Sequence, residues 1–89
     1  MQATKLDPRL QYMVDHGISG LEIMHGELKS LMLMAEEELT EAQRIEEEND
    51  YSDAMESMER KYWEGQLDAL AHVYSLTYKL SFAIADKVE

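Results

Sequence analysis

Two stretches of this chain repeat an apolar or small residue at alternating steps of four and three. The first extends from Leu10 to Ile45 and the second from Tyr62 to Val88. This spacing places the repeated side chains on one face of an α-helix, as in a heptad seam. Residues 49–52 between them read Asn-Asp-Tyr-Ser and favour a turn. The pattern therefore predicts an all-α fold built on a long antiparallel helical hairpin.

Helix-capping residues predict a break near the start of the first stretch. Asp7 followed by Pro8 is typical of a helix start, because Asp can accept a hydrogen bond from a free backbone N–H and Pro has none to satisfy. Gly17 can end that short helix in the left-handed conformation. Ser19 and Glu22 have the spacing of a capping box for the next helix. One continuous helix through Gly17 is the alternative.

A second boundary is predicted after the first long helix. Asn49 suits a helix C-terminus, and Asp53 with Glu56 has the spacing of another capping box. Acids in the first turn of a helix also interact favourably with the helix dipole. The predicted helices span about 8–16, 20–48 and 53–88 within a single domain, 1–89.

The last helix contains two adjacent seams, and its apolar face is therefore wider than one antiparallel partner can cover. The first seam consists of Tyr62, Gln66, Ala69, Val73, Leu76, Leu80 and Ala83. The second seam consists of Trp63, Leu67, Leu70, Tyr74, Thr77, Ser81, Ile84 and Val88. A turn at residues 50–51 pairs positions that sum to about 101, so Leu28 lies opposite Val73. The predicted core is Leu21, Leu28, Leu31, Leu70, Val73, Leu76 and Leu80, which leaves the second seam, apart from Leu70, uncovered.

The size of the chain also favours an additional interface. A domain of 89 residues is near the limit at which one hydrophobic core suffices. The sequence has no Cys, so disulfides and thiolate metal sites cannot supplement that core. Oligomerisation is the usual remaining solution. We therefore expect a homodimer that completes a four-helix bundle.

Negative charge is concentrated where the two long helices are predicted to meet. Residues 36–59 contain eleven acids and one base, Arg44, so ten of the eleven net negative charges lie there. A charge run usually means only a solvated helix end, but solubility alone does not require this localisation, and like-charge repulsion destabilises a fold. A pI near 4.5 argues against direct binding to nucleic acid or to an anionic membrane.

The acidic segment is therefore predicted to bind a partner. The predicted partner-binding residues are Glu37, Glu41, Glu48, Tyr51, Glu56, Tyr62 and Trp63. Carboxylates on a stiff helical support can imitate the charge of nucleic-acid phosphates, and neighbouring aromatic side chains can anchor a contact. The expected partner is a host protein, with a basic nucleic-acid-binding protein as the most natural target.

Several features favour a cytosolic protein. The N-terminus lacks the basic and apolar regions of a signal peptide. The apolar stretch 67–85 contains Asp68, His72 and Lys79, and an ionised acid or base near a bilayer centre costs about 2.5–3.5 kcal/mol. We expect a buried helix of a soluble protein, no membrane contact and a cytoplasmic location.

The spacing of Glu22 and His25, Glu-x-x-His, is that of ligands in helical di-iron proteins. Glu22 is already explained as the capping partner of Ser19, and further inward-facing carboxylates at the same height are not evident. We therefore expect a surface acid beside a histidine at the edge of the seam, with no metal and no cofactor.

A second acidic motif gives an enzymatic alternative. Glu37-Glu38-Leu-Thr-Glu41 resembles the Glu-Glu-x-x-Glu helix of MazG-type nucleotide pyrophosphatases, which are all-helical and bind Mg²⁺ together with a later Glu-x-x-Asp. In the predicted register Glu64 lies opposite Glu37, with Asp68 nearby. Gly65 and the longer spacing leave the later motif incomplete. The resemblance implies a divergent magnesium-dependent nucleotide hydrolase.

The C-terminal third, residues 59–86, reads ERKYWEGQLDALAHVYSLTYKLSFAIAD. It resembles the ends of small accessory proteins encoded by bacteriophages of actinobacteria. No catalytic motif accompanies this resemblance, which implies a host-directed protein that acts by binding. The leading hypothesis is a non-enzymatic helical protein that inhibits or redirects a host protein. A structural or assembly subunit is a further alternative.

Overall fold

A computed structural model describes residues 5–88, except for the side chain of Val88; residues 1–4 and 89 of the predicted domain lie outside it. The described helices are α1 (Pro8–Asp15), α2 (Gly20–Glu48) and α3 (Ala54–Val88). Residues 5–88 contain no strand. The two long helices pack against each other, and α1 contacts α2. The predicted all-α class, with a short helix followed by two long ones, is confirmed.

The helices begin at the residues whose capping pattern predicted them. Asp7 Oδ1 accepts a hydrogen bond of 2.9 Å from the N–H of Arg9. Ser19 Oγ accepts one of 3.2 Å from the N–H of Glu22. At the start of α3, Asp53 Oδ1 accepts one of 2.9 Å from the N–H of Met55. Each bond satisfies a backbone donor that the first turn of a helix leaves without a partner.

The break between α1 and α2 is a Schellman motif. Gly17 has a φ of +78°, in the left-handed region that glycine adopts without steric strain. The N–H of Gly17 donates to the carbonyl of Val14 at 3.0 Å, and the N–H of Ile18 donates to the carbonyl of Met13 at 3.1 Å. These two bonds close the C-terminus of α1. The alternative of one continuous helix is therefore wrong.

α1 folds back onto one flank of α2. Arg9 Nη1 forms an ion pair of 2.6 Å with Glu27 Oε1 at the surface, and the hydrogen bond from Arg9 holds the pKa of the Glu27 carboxyl below its usual range. Apolar side chains of both helices line the groove beside this pair, among them Leu10 and Val14 of α1 and Met24 of α2.

The turn between α2 and α3 repeats the Schellman motif without a glycine. The N–H of Tyr51 donates to the carbonyl of Glu46 at 2.9 Å, and the N–H of Asp50 donates to that of Glu47 at 3.1 Å. Asp50 and Tyr51 have φ values of 52° and 59°. Both non-glycine residues therefore occupy the left-handed region, which is unfavourable for a side chain.

Small residues let α2 and α3 approach closely. Ala35 is fully buried and Ala42 nearly so, and Leu28 is the large apolar side chain of α2 that is buried with them. Towards the end opposite the turn, a polar contact fixes the alignment: His25 Nδ1 lies 2.7 Å from Thr77 Oγ1. Because the Thr77 hydroxyl donates to the carbonyl of Tyr74 at 2.9 Å, His25 Nδ1 is the donor in this contact.

The predicted register is accurate to about one residue, since His25 faces Thr77 rather than Leu76. The prediction of which seam packs inside was wrong. Trp63, Leu67, Leu70, Tyr74, Thr77 and Ser81 of the second seam are half-buried or buried. In the first seam, Val73, Leu76 and Leu80 are exposed by 38%, 53% and 42%. Of the predicted core on α2, Leu28 is buried, Leu21 is half-buried and Leu31 is exposed.

The reason is that the two seams lie one residue apart on α3, a rotation of about 100° around the helix axis. The second seam offers a hydroxyl at Thr77 to His25 and a flat ring at Tyr74, whose centroid stacks 4.3 Å from that of His25. Facing α2 with the first seam would leave His25 without these contacts. No described helix is both long enough and apolar enough to cross a membrane.

The left-handed turn predicts the effect of two substitutions at Asp50. Asp50→Gly and Asp50→Ala remove the same negative charge, but only Gly is free of the side-chain penalty at positive φ. We expect the Gly variant to be more stable than the Ala variant by about 1 kcal/mol. Urea denaturation of the two variants measures the difference. Equal free energies of unfolding would contradict a left-handed residue at this position.

Candidate protein-binding site

The acidic end, defined as residues 36–59, comprises the second half of α2, the turn and the first residues of α3. The hairpin gathers its acids at one extremity of a molecule whose longest dimension is 55 Å. These acids differ in their surroundings. One is buried, several are held in surface hydrogen bonds, and others are exposed with no described partner.

Glu46 is the buried acid. Its side chain is 1% exposed and faces α3. Ser57 Oγ donates to Glu46 Oε2 at 2.5 Å, and Arg60 Nε donates to Glu46 Oε1 at 2.7 Å. Arg60 Nη1 also donates to Glu64 Oε1 at 2.6 Å. Glu46 is therefore a buried charge with a charged partner, which is the condition under which proteins tolerate one.

These contacts determine the ionisation of Glu46. The hydrogen bond from Ser57 is the largest cause that lowers the pKa of its carboxyl below the usual 4.5, and Arg60 acts in the same direction through its hydrogen bond and its charge. Burial opposes them but does not outweigh them. The ionised carboxylate of Glu46 thus joins α2 to α3 directly below the turn.

Arg44 is the one base of the acidic end, and it holds two of the predicted partner-binding acids. Its Nη2 lies 2.5 Å from Glu41 Oε1, and its Nη1 lies 2.6 Å from Glu48 Oε1. The hydrogen bond from Arg44 lowers the pKa of the Glu41 carboxyl. Exposed pairs three and four residues apart contribute little to stability. The two ion pairs of Arg44 nevertheless orient the carboxylates of Glu41 and Glu48 along one edge of α2.

Glu56, another predicted binding residue, is partly structural. Asn49 Nδ2 donates to Glu56 Oε2 at 2.7 Å, which joins the end of α2 to the first turn of α3. Glu56 Oε1 is buried and accepts no hydrogen bond from the described residues. The side chain lines a shallow groove between the helices together with Glu38, Glu41 and Glu59. Its replacement would disturb the turn as well as the charge.

Four other acids are suited to contact a partner directly. They are Glu36, Glu37, Glu38 and Glu47, all exposed on α2. Within residues 5–88, their side chains make no ion pair and accept no hydrogen bond. Their charge is therefore not compensated by direct pairing and is available to attract a basic surface.

The predicted aromatic anchors divide into two places. Tyr62 is 56% exposed and packs edge-to-face on Trp63, with ring centroids 5.0 Å apart. Trp63 is half-buried against α2. Tyr51 is exposed and lines a different groove, beside Gln43 and Arg60. The structure thus brings Tyr62 and Trp63 together and places Tyr51 elsewhere.

The residues of the two metal patterns are not brought together. Glu64 is bound by Arg60, and Asp68 is exposed on α3. Glu22 is exposed, whereas His25 contacts Thr77. Within the part of the chain that the structure describes, no three His, Asp or Glu side chains are grouped as metal ligands. The acids of the magnesium alternative, Glu37, Glu38, Glu41, Glu64 and Asp68, therefore form no such group there.

Sequence reasoning missed the structural role of Glu46, Ser57 and Arg60. Glu46 is the first of three consecutive glutamates, and nothing local distinguishes it from Glu47 or Glu48. The register gives only a partial signal, since it places Arg60, the first base of α3, opposite Glu41, about one helical turn from Glu46.

Comparisons with known proteins give no family for this chain. No protein-family model, curated protein or solved structure matches it. The resemblance of the C-terminal third to phage accessory proteins therefore stays a prediction.

The buried pair predicts a difference between neighbouring glutamates. Glu46→Gln removes the charge that Arg60 and Ser57 bind, whereas Glu47→Gln removes an exposed charge from the same turn of helix. We expect Glu46→Gln to lower Tm by several degrees and Glu47→Gln to leave it unchanged or raise it. Thermal unfolding followed by circular dichroism measures both, and equal effects would contradict the burial of Glu46.

The pKa shift of Glu46 also predicts a pH dependence. A carboxyl whose pKa is lowered in the folded state stabilises the fold above its unfolded pKa, and this contribution is lost as the pH falls through the folded pKa. The unfolded value is about 4.5 and the folded value lies below it. The stability difference between wild type and Glu46→Gln should therefore be constant at neutral pH and shrink below about pH 4.5. A difference that grows on acidification would show that the sign is reversed.

Proposed function

We propose that this protein is a non-enzymatic, phage-encoded interaction protein whose acidic end binds a basic surface of a host protein and thereby inhibits or redirects it. In this proposal the target is a nucleic-acid-binding protein of the host cytosol. The acidic end occupies the groove that would otherwise receive phosphates. The protein acts as a homodimer.

The observation that carries the proposal is a set of uncompensated carboxylates on a fixed support. Four acids of α2 are exposed without described ion-pair partners: Glu36, Glu37, Glu38 and Glu47. The contact between Glu46 and Arg60 joins α2 to α3 at the same end of the molecule. The helical backbone that carries these acids is already ordered before binding, and localised charge accelerates encounter with an oppositely charged surface. Phosphate-binding grooves have that opposite charge.

An exposed aromatic pair supports a binding role at the same end. Tyr62 presents more than half of its surface to solvent next to the half-buried Trp63. Tyrosine and tryptophan are the residue types most often found at the energetic centre of protein interfaces. Carboxylates would then direct the encounter, and the edge of the Tyr62 ring that a small facing residue of a second copy leaves open would supply apolar contact area.

The exposed first seam supports the homodimer. Val73, Leu76 and Leu80 lie on one face of α3 and are all more than one-third exposed. A contiguous apolar face of this kind marks an interaction surface. The same observation is compatible with an assembly subunit that packs this face against a different chain, and the experiment in the last subsection separates the two.

The proposal predicts that binding depends on where charge is removed. The tip variant replaces Glu36, Glu37, Glu38 and Glu47 by Gln and spares Glu41, Glu48 and Glu56, which have structural contacts. We expect it to lose capture of a basic protein from actinobacterial lysate, because the four uncompensated carboxylates of α2 are gone. Affinity capture on immobilised protein with mass spectrometry measures this. Duplex DNA and raised salt should release the captured protein from the wild type.

The matched control removes four charges away from the acidic end. It carries Asp15→Asn, Glu22→Gln, Asp68→Asn and Asp86→Asn, all at exposed positions. We expect the control to capture the same protein as the wild type, although its net charge equals that of the tip variant. Equal loss in both variants would show a general charge effect. Full capture by the tip variant would refute a site at the acidic end.

A further inference from the structure

We infer that the exposed first seam binds a second copy of this chain in an antiparallel orientation, centred on Val73, so that the two acidic ends lie at opposite ends of the dimer. This inference rests on the homodimer proposed above and specifies its interface and orientation. It is carried by the spacing, side-chain size and charge of the seam residues.

The spacing of the first seam is the same in both chain directions. From residue 62 to residue 83 its steps alternate between four and three in either chain direction, and the pairs formed around a two-fold axis close to Val73 sum to 145 or 146. An antiparallel copy of α3 therefore places Tyr62 opposite the partner's Ala83, Gln66 opposite the partner's Leu80 and Ala69 opposite the partner's Leu76. Val73 meets its own equivalent on the two-fold axis.

Two pairs of the first seam combine a small and a large side chain in this orientation. Small Ala69 faces large Leu76, and small Ala83 faces large Tyr62. Alternating large and small residues across an interface fills the space at native packing density. In a parallel dimer each residue would meet its own equivalent, and the paired alanines at positions 69 and 83 would leave gaps.

Charge complementarity at the two ends of the first seam favours the same antiparallel orientation. The next seam position before Tyr62 is Glu59, and the next after Ala83 is Lys87; both are exposed. The register that pairs Val73 with itself pairs Glu59 with the partner's Lys87. In a parallel dimer, Glu59 would face Glu59 and Lys87 would face Lys87, which is unfavourable.

The acidic end gives an independent reason for the same orientation. It contains ten of the eleven net negative charges, and a parallel dimer would place two such ends side by side within the Debye length of about 8 Å. The molecule is 55 Å long, so antiparallel copies separate the two ends by several Debye lengths. The remaining part of the chain has a net charge of only −1 and makes a much less repulsive neighbour.

The function that follows is bivalent binding. Each end of the antiparallel dimer would present one acidic end, so one dimer would bind two copies of the host protein on opposite sides. Two linked sites can exceed the affinity of either alone when the target surfaces are within reach.

Cysteine cross-linking tests the orientation, since the chain has no Cys of its own. The variants are Val73→Cys, Tyr62→Cys and Ala83→Cys, all at exposed positions. A disulfide requires Cα atoms within about 7 Å. In the antiparallel dimer, two copies of residue 62 are about 32 Å apart along the axis, from the 21 residues between positions 62 and 83 at 1.5 Å each.

We expect Val73→Cys alone to form a covalent dimer on oxidation, and Tyr62→Cys and Ala83→Cys to do so only when the two are mixed. Non-reducing gels measure the products, and circular dichroism checks that each variant is helical. Covalent dimers of Tyr62→Cys alone and Ala83→Cys alone would establish a parallel dimer and overturn the inference. Absence of cross-links in a protein that sediments as a dimer would overturn this interface while leaving the homodimer.

Sedimentation of two further variants tests the face itself. Leu76→Asp places a charge in the first seam, and Ser75→Asp places the same charge on an exposed neighbouring position outside it. We expect Leu76→Asp to be monomeric and Ser75→Asp to remain dimeric, both with unchanged helix content. A monomeric wild type would overturn both the inference and the homodimer, yet would leave capture by the acidic end to be judged separately by the tip variant.

Discussion

The bond between Glu46 and Arg60 is the contact on which the shape of the acidic end depends. Ten net negative charges repel one another at the extremity where α2 and α3 meet, and two residues of the turn adopt unfavourable left-handed conformations. Glu46 is one of these charges, but it stabilises the turn, because its buried carboxylate binds Ser57 and Arg60 across the helix interface. The acids of this segment therefore repel one another, and one of them, Glu46, also joins the two helices.

The hairpin core contains polar contacts, while aliphatic side chains of the first seam are exposed. Between α2 and α3 lie small residues such as Ala35 and a hydrogen-bonded contact of His25 with Thr77, whereas aliphatic Leu76 and Leu80 are directed outward. Hydrogen-bonded contacts specify one alignment of the helices, because any slip would leave a buried polar group without a partner. The apolar surface is then left for association with another helix pair.

Local signals in the sequence were sufficient to predict the helices. Asp7, Gly17, Ser19 and Asp53 act through neighbours two to five residues away, so a reader of the chain can identify them. The choice between the two seams of α3 could not be predicted this way, because both have helical spacing and the deciding contact joins residues 52 positions apart. The same holds within the candidate site. Acidity and exposure were predictable, but the inward direction of Glu46 depends on Ser57 and Arg60, which lie across the turn.

The position of the acids along the hairpin connects the two surfaces. If the ten charges were spread evenly over α2 and α3, side-by-side copies would repel equally in either orientation, and charge would specify nothing. Because the charges lie together near the turn, their repulsion disfavours only the parallel orientation, which places the two acidic ends side by side. The first seam favours the antiparallel orientation, in which small Ala69 faces large Leu76 of the second copy. One uneven distribution of charge thus offers a binding surface for a basic partner and, at the same time, a physical reason for the chain to present that surface twice.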